Sequence, residues 1–116
     1  MALTKPWEEF VVEHLRAHPE EISGYLDACL EEGPGTFLGG LRQTIEAAGG
    51  MTGAAAKARL HRVSLYKMLG DKGNPTLSSL TQVLEALGLR LSVVPLASSE
   101  RQVRGRRSKA RQSSVR

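Results

Sequence analysis

Apolar residues recur at helical spacing in six stretches of this 116-residue chain. In the first, about residues 7 to 17, Trp7, Phe10, Val11 and Leu15 fall at i, i+3, i+4 and i+8, leaving Glu8, Glu9, Glu13 and Arg16 outside, with Thr4 and Pro6 as the start. His18-Pro19 restricts the backbone before a second helix, expected over about 20 to 31, whose stripe is Ile22, Leu26, Cys29 and Leu30 and whose first turn holds Glu20 and Glu21. Gly33-Pro34-Gly35 is expected to stop it. A third pattern runs from about Thr36 through Phe37, Leu38, Leu41, Ile45 and Ala48 to Gly49-Gly50, residues suited to a left-handed helix exit.

The remaining patterns are shorter. Thr52 is the expected N-cap of a helix in which Ala54, Ala55, Ala56 and Ala58 keep the surface thin enough for another helix to approach closely. The pattern turns at Arg59-Leu60-His61. A helix over about 62 to 69 then points Leu65, Met68 and Leu69 inward, leaves Arg62, Val63, Tyr66 and Lys67 outside, and ends at Gly70. Asn74-Pro75 reads as N-cap and first helical residue of a last helix carried by Leu77, Leu80, Val83, Leu84 and Leu87 to Gly88. The expected fold class is therefore all-α, with five or six short helices. After them the alternation Leu89 to Val94 predicts one β-strand, ended by Pro95. With no second strand in the sequence, it needs a strand from another copy or a partner's sheet edge; the alternative is an extended segment lying on the core.

Composition adds two constraints. The single cysteine, Cys29, excludes an intrachain disulfide framework, and nothing resembles a signal peptide or the roughly 18 to 20 apolar residues of a membrane span, so a cytoplasmic protein without membrane contact is expected. Only five residues are aromatic, which leaves the core to Leu, Val, Ile and Ala.

Charge changes the picture more. The net +4 conceals an asymmetry: residues 1 to 35 carry two bases against eight acids, 36 to 90 carry seven against three, and 101 to 116 carry seven bases and no acid. The chain accordingly divides into acidic N-terminal helices (1 to 35), a basic central region with the strand (36 to 96) and a basic tail (97 to 116) too poor in apolar residues to fold alone. Basic regions point to nucleic acid, the acidic one to a basic protein, and the tail either adds salt-sensitive DNA affinity or only solubilises.

The segment Met51 to Leu69 has the pattern of a helix-turn-helix. Ala54, Ala58, Leu60, Leu65 and Met68 occupy the five positions that such a motif buries, and Ala55 supplies a small residue where the helices cross. An ordinary αα-hairpin has the same apolar spacing. What favours the DNA-binding motif is the outside: Lys57, Arg59, Arg62 and Lys67 stand there with no acid among residues 47 to 70.

On these residues the chain resembles the addiction-module antidote proteins, antitoxins with a lambda-repressor-like (XRE, Cro/C1-type) helix-turn-helix. The resemblance covers about residues 24 to 94, and its most specific pieces are Ser64-Leu65-Tyr66-Lys67, Gly73-Asn74-Pro75 and Leu84-Glu85-Ala86-Leu87-Gly88-Leu89. It implies a homodimeric DNA-binding antitoxin that represses its own operon and neutralises a small toxin of the RelE/ParE superfamily. Toxins of that kind tend to be basic, so the acidic front is the candidate toxin-facing surface, with the 89 to 94 strand as the other candidate. A solvated helix face is the plain reading of the acidic front. Three positions depart from the family pattern: Arg59 stands where Gly is usual, His61 where a Ser cap is usual, and Val63 where a polar residue is usual.

Candidate DNA-contacting residues follow from position. Arg62 and Lys67 are assigned to base edges, with Ser64 and Tyr66 beside them; Val63 is suited to a thymine methyl and His61 to a phosphate. Thr52 offers a hydroxyl and a helix N-terminus to another phosphate. A dimer on a roughly palindromic operator, with half-sites about one helical turn apart, is expected. The rivals are a stand-alone XRE-type regulator without a toxin and a protein-binding module with a vestigial DNA motif. No enzyme, cofactor or metal is expected: His14 and His18 in HLRAH lack the Glu of HExxH and a third ligand, and GPGTFLGG misses the GxGxxG spacing and follows no strand.

Overall fold

The computed structural model describes residues 6 to 96, and all the regular structure there is helical. Six α-helices follow one another: α1 (Pro6–Ala17), α2 (Ile22–Glu32), α3 (Pro34–Ala47), α4 (Met51–Ala58), α5 (Arg62–Met68) and α6 (Leu77–Ala86), with a 3₁₀ turn at Pro19–Glu21 leading into α2. The expectations for Thr4 and for disorder at 97 to 116 lie outside the described residues.

Helix α3 packs against α1, α2 and α4, while α4 packs against α5 and α6. One apolar cluster runs through α2 to α6, with Leu41, Ile45, Leu65, Leu69 and Val83 fully buried in it. The stripes expected from periodicity supply these side chains. Close approach of α2 and α3 depends on Gly40, where an added Cβ would stand 2.8 Å from Cys29 Sγ. Burial there pushes the Cys29 thiol pKa up, which makes it an inert packing residue. Thr44, the buried polar side chain of α3, donates its hydroxyl hydrogen to the Gly40 carbonyl at 2.9 Å.

Helix ends explain the tight connections. Residue Gly33 both ends α2 and precedes α3, whose first helical residue is Pro34; thus Gly33-Pro34-Gly35 stops one helix and starts the next. Three helices leave by the same six-to-one exit: Gly50 N–H to Ile45 O at 2.8 Å, Leu60 N–H to Ala55 O at 2.9 Å, and Leu89 N–H to Leu84 O at 2.8 Å. Gly49 and Gly88 hold the positive φ in the first and third, but Arg59 holds it in the second, at φ 63° and ψ 42°.

Three local expectations are corrected. Helix α4 starts straight after the exit of α3, with Gly50 as N-cap, so Thr52 lies inside the first turn instead of capping it. Helix α6 is capped by Thr76, whose Oγ1 accepts from Ser79 N–H at 3.0 Å, two residues later than Asn74. Residues 89 to 95 form no strand in the single chain, because no second strand is present to complete a ladder. Leu89 instead packs against the core, while Val93 is almost fully exposed.

Candidate functional site

The pair α4 and α5 is joined by three residues, 59 to 61, and its geometry follows from what it buries. Ala54, Ala55 and Ala58 of α4 and Leu65 and Met68 of α5 are buried, and Leu60 is half-buried against the same cluster. Methyl-sized side chains on α4 let α5 lie close, and the burial of Leu65 at 0% exposure fixes which face of α5 turns inward. The opposite face is then open: Arg62, Val63, Ser64, Tyr66 and Lys67 are all exposed, Val63 and Tyr66 at 65% and 55%.

His61 occupies the N-cap position of α5 in an extended conformation, φ −68° and ψ 141°, and its side chain makes no capping bond. The first N–H groups of α5 therefore have no side-chain acceptor at the cap. Thr52 is exposed in the first turn of α4, which likewise has no side-chain cap.

Two long-range hydrogen bonds hold the pair. Arg42 of α3 donates to the carbonyl of Leu69 at the end of α5, and Gln82 Nε2 of α6 donates to the Ala58 carbonyl at 2.7 Å. Both use carbonyls that a helix C-terminus leaves without an internal donor. Sequence reasoning missed them, since the partners lie 27 and 24 residues apart and neither Arg42 nor Gln82 belongs to a motif. Behind α5, Gly73 is required by space: a Cβ there would stand 2.0 Å from the Met68 carbonyl oxygen. That gives Gly73-Asn74-Pro75 its physical meaning.

The electrostatics of the molecule are divided. Among the described residues, the salt bridges join Glu13 to Arg16, His14 to Glu21 and His18 to Glu20, all within α1 and the 3₁₀ turn. The His14 contact, at 2.8 Å, holds the exposed Glu21 carboxyl below its ordinary pKa. None involves Lys57, Arg59, Arg62 or Lys67, so α4 and α5 present positive charge that no carboxylate neutralises among the described residues. His14 and His18, spaced four residues apart in HLRAH, lie ring to ring at 4.5 Å, each facing a glutamate.

No helix among the described residues is long and apolar enough to cross a membrane. No solved structure matches the chain. An uncharacterized protein of Haemophilus influenzae (strain ATCC 51907 / DSM 11121 / KW20 / Rd) is 35% identical over 92 residues, which covers 78% of this chain and 94% of that protein. A sequence model of the family described as "Probable addiction module antidote protein" matches residues 7–95, which takes in α2 to α6 and all of α1 but Pro6. The chain belongs to that addiction-module antidote family.

Proposed function

We propose that the protein is the antitoxin of a type II toxin-antitoxin module, acting by binding and not by catalysis, in the cytoplasm. It reads operator DNA through a lambda-repressor-like (XRE, Cro/C1-type) helix-turn-helix made of α4 and α5, represses its own operon, and neutralises a RelE/ParE-type toxin. The observation that carries the DNA reading is the exposed, unneutralised face of α5, with Arg62, Val63, Ser64, Tyr66 and Lys67 outward over a fully buried Leu65. Family membership supports the antitoxin half.

In this reading Arg62 and Lys67 reach base edges in the major groove, and Ser64 and Tyr66 support them. Val63 packs on a thymine methyl. His61 and Thr52, at two helix starts without side-chain caps, approach phosphates. The chain works as a homodimer, which matches paired half-sites about one helical turn apart. The acidic residues of 1 to 35 face the toxin, and the extended segment 89 to 94 pairs with a second copy.

A gel-shift titration on the protein's own promoter tests the proposal. The native chain should retard the fragment, and Arg62→Ala should weaken binding by about 10-fold while relaxing one operator position. Unchanged affinity in that variant would remove Arg62 from the interface, and no retardation by the native chain would leave only a protein-binding antidote.

A further inference from the structure

The turn between α1 and α2 gathers side chains that can hold a cation. His18 follows the last residue of α1, Pro19 fixes the backbone after it, and Glu20 and Glu21 complete the 3₁₀ turn. Although the two glutamates are neighbours in sequence, one ring nitrogen of His18 and one carboxylate oxygen of each glutamate lie within 4.8 Å of one another. His18 Nδ1 and Glu20 Oε2 stand 3.4 Å apart. Two ligand atoms on adjacent corners of a tetrahedron around zinc are separated by roughly 3.3 Å, given bonds of about 2.0 to 2.1 Å. The cluster is thus close to the size such an ion requires, and its three side chains are exposed and free to close the remainder.

His14, one turn earlier in α1, supplies the support that a metal ligand uses. Its Nε2–H donates to Glu21 Oε1 at 2.8 Å and holds that carboxylate in place, while its ring lies 4.5 Å from that of His18. Charge fits as well. Among the described residues, Glu20 and Glu21 make salt bridges with histidine alone, and Arg16 is turned to Glu13 and to the Glu46 carbonyl. With both imidazoles neutral, the two carboxylates face no fixed positive charge, and the His18 nitrogen offers a lone pair beside them. A mixed nitrogen and oxygen set suits zinc and its neighbours; magnesium and calcium take oxygen.

We infer that His18, Glu20 and Glu21 form a binding site for a divalent transition-metal ion of the zinc class, with water completing the coordination and His14 as the positioning residue behind Glu21. The sequence HLRAH offers two histidines without a further ligand; the turn after it brings the carboxylates to them. The bound ion ties the end of α1 to the start of α2. This inference is independent of whether α4 and α5 read DNA.

The experiment is a calorimetric titration of the metal-free, full-length chain with zinc chloride, repeated with magnesium chloride. Zinc should bind with one-to-one stoichiometry, and far more tightly than magnesium. His18→Ala, which removes the nitrogen ligand, should weaken zinc binding by about 100-fold, as should Glu20→Gln with Glu21→Gln. His14→Ala should weaken it by about 10-fold, and His14→Gln, which keeps an N–H donor for Glu21, by less than about 3-fold. Asp27→Asn with Glu31→Gln makes the same change of net charge on exposed acids of α2 outside the cluster, and should leave zinc affinity unchanged. Circular dichroism on each variant separates lost binding from lost folding, and zinc should raise the melting temperature of the native chain but not of His18→Ala. Absence of zinc binding by the native chain, full binding by His18→Ala, or equal losses for the two acidic pairs would overturn the site. Magnesium binding as tightly as zinc would reduce it to diffuse attraction by carboxylates, and equal losses for His14→Ala and His14→Gln would remove His14 from its positioning role.

Discussion

The front of the molecule and the α4–α5 pair use charge in opposite ways. In α1 and the 3₁₀ turn, basic and acidic side chains pair locally: Glu13 with Arg16, His14 with Glu21, His18 with Glu20. Such exposed pairs contribute little to stability, but they spend the bases and leave an excess of carboxylates. In α4 and α5 no acid lies between residues 47 and 70, so every base there stays available to a ligand. The contrast teaches that the two surfaces differ in what pairing leaves over. The front stays acidic because most of its carboxylates enter no salt bridge among the described residues; the pair is basic because no acid lies within it.

The largest expected effect breaks the basic half alone. Arg62→Ala combined with Lys67→Ala should reduce operator affinity by about 100-fold in gel-shift titration and lower its salt slope, while leaving thermal stability unchanged, because both side chains are exposed. Next comes Gly73→Ala. Its Cβ would meet the Met68 carbonyl, and the forced shift should cost about 2 kcal/mol of folding stability by urea denaturation, displacing the end of α5 before the front is disturbed.

A smaller effect has the opposite sign. Arg59→Gly should stabilise the chain by about 1 kcal/mol, since a side chain held in the left-handed region costs about that much or slightly more. If α4 and α5 bind DNA as proposed, its operator affinity should fall modestly through loss of one positive charge.

The smallest effect belongs to the front. The Glu21 carboxyl is depressed below its usual pKa by the His14 hydrogen bond, so its contribution to stability is present above the ordinary glutamate pKa of 4.5 and is lost as pH falls through the depressed value. Thermal melts of the native chain and Glu21→Gln should therefore converge at acid pH and separate slightly above it.

The helices were legible because each carries a periodic stripe: Leu41, Ile45, Leu65, Leu69 and Val83 are buried where the spacing placed them, whereas Trp7, Phe10, Leu30 and Leu77 belong to expected stripes and are exposed. Caps were harder. Thr52 and Asn74 are chemically good caps, yet Gly50 and Thr76 cap instead, since the exit of the preceding segment decides where helical angles can begin. The exposed face of α5 could be read residue by residue. What braces it could not: Arg42 to Leu69 and Gln82 to Ala58 are single long-range bonds with no local pattern.

Arg59 sets a limit on how the exposed face of α5 comes into being. A glycine in that turn would adopt its angles unaided, but arginine adopts them only when Leu60 is drawn into the core and the Ala55 carbonyl is there to receive its N–H. The aim of α5 is thus imposed from outside the segment that bears it. A peptide of residues 51 to 69 alone keeps the Leu60 N–H to Ala55 O bond but lacks the rest of the core that covers Leu60, and a protease that removes α6, with Gln82 and Val83, should loosen the face proposed to read DNA without cutting it.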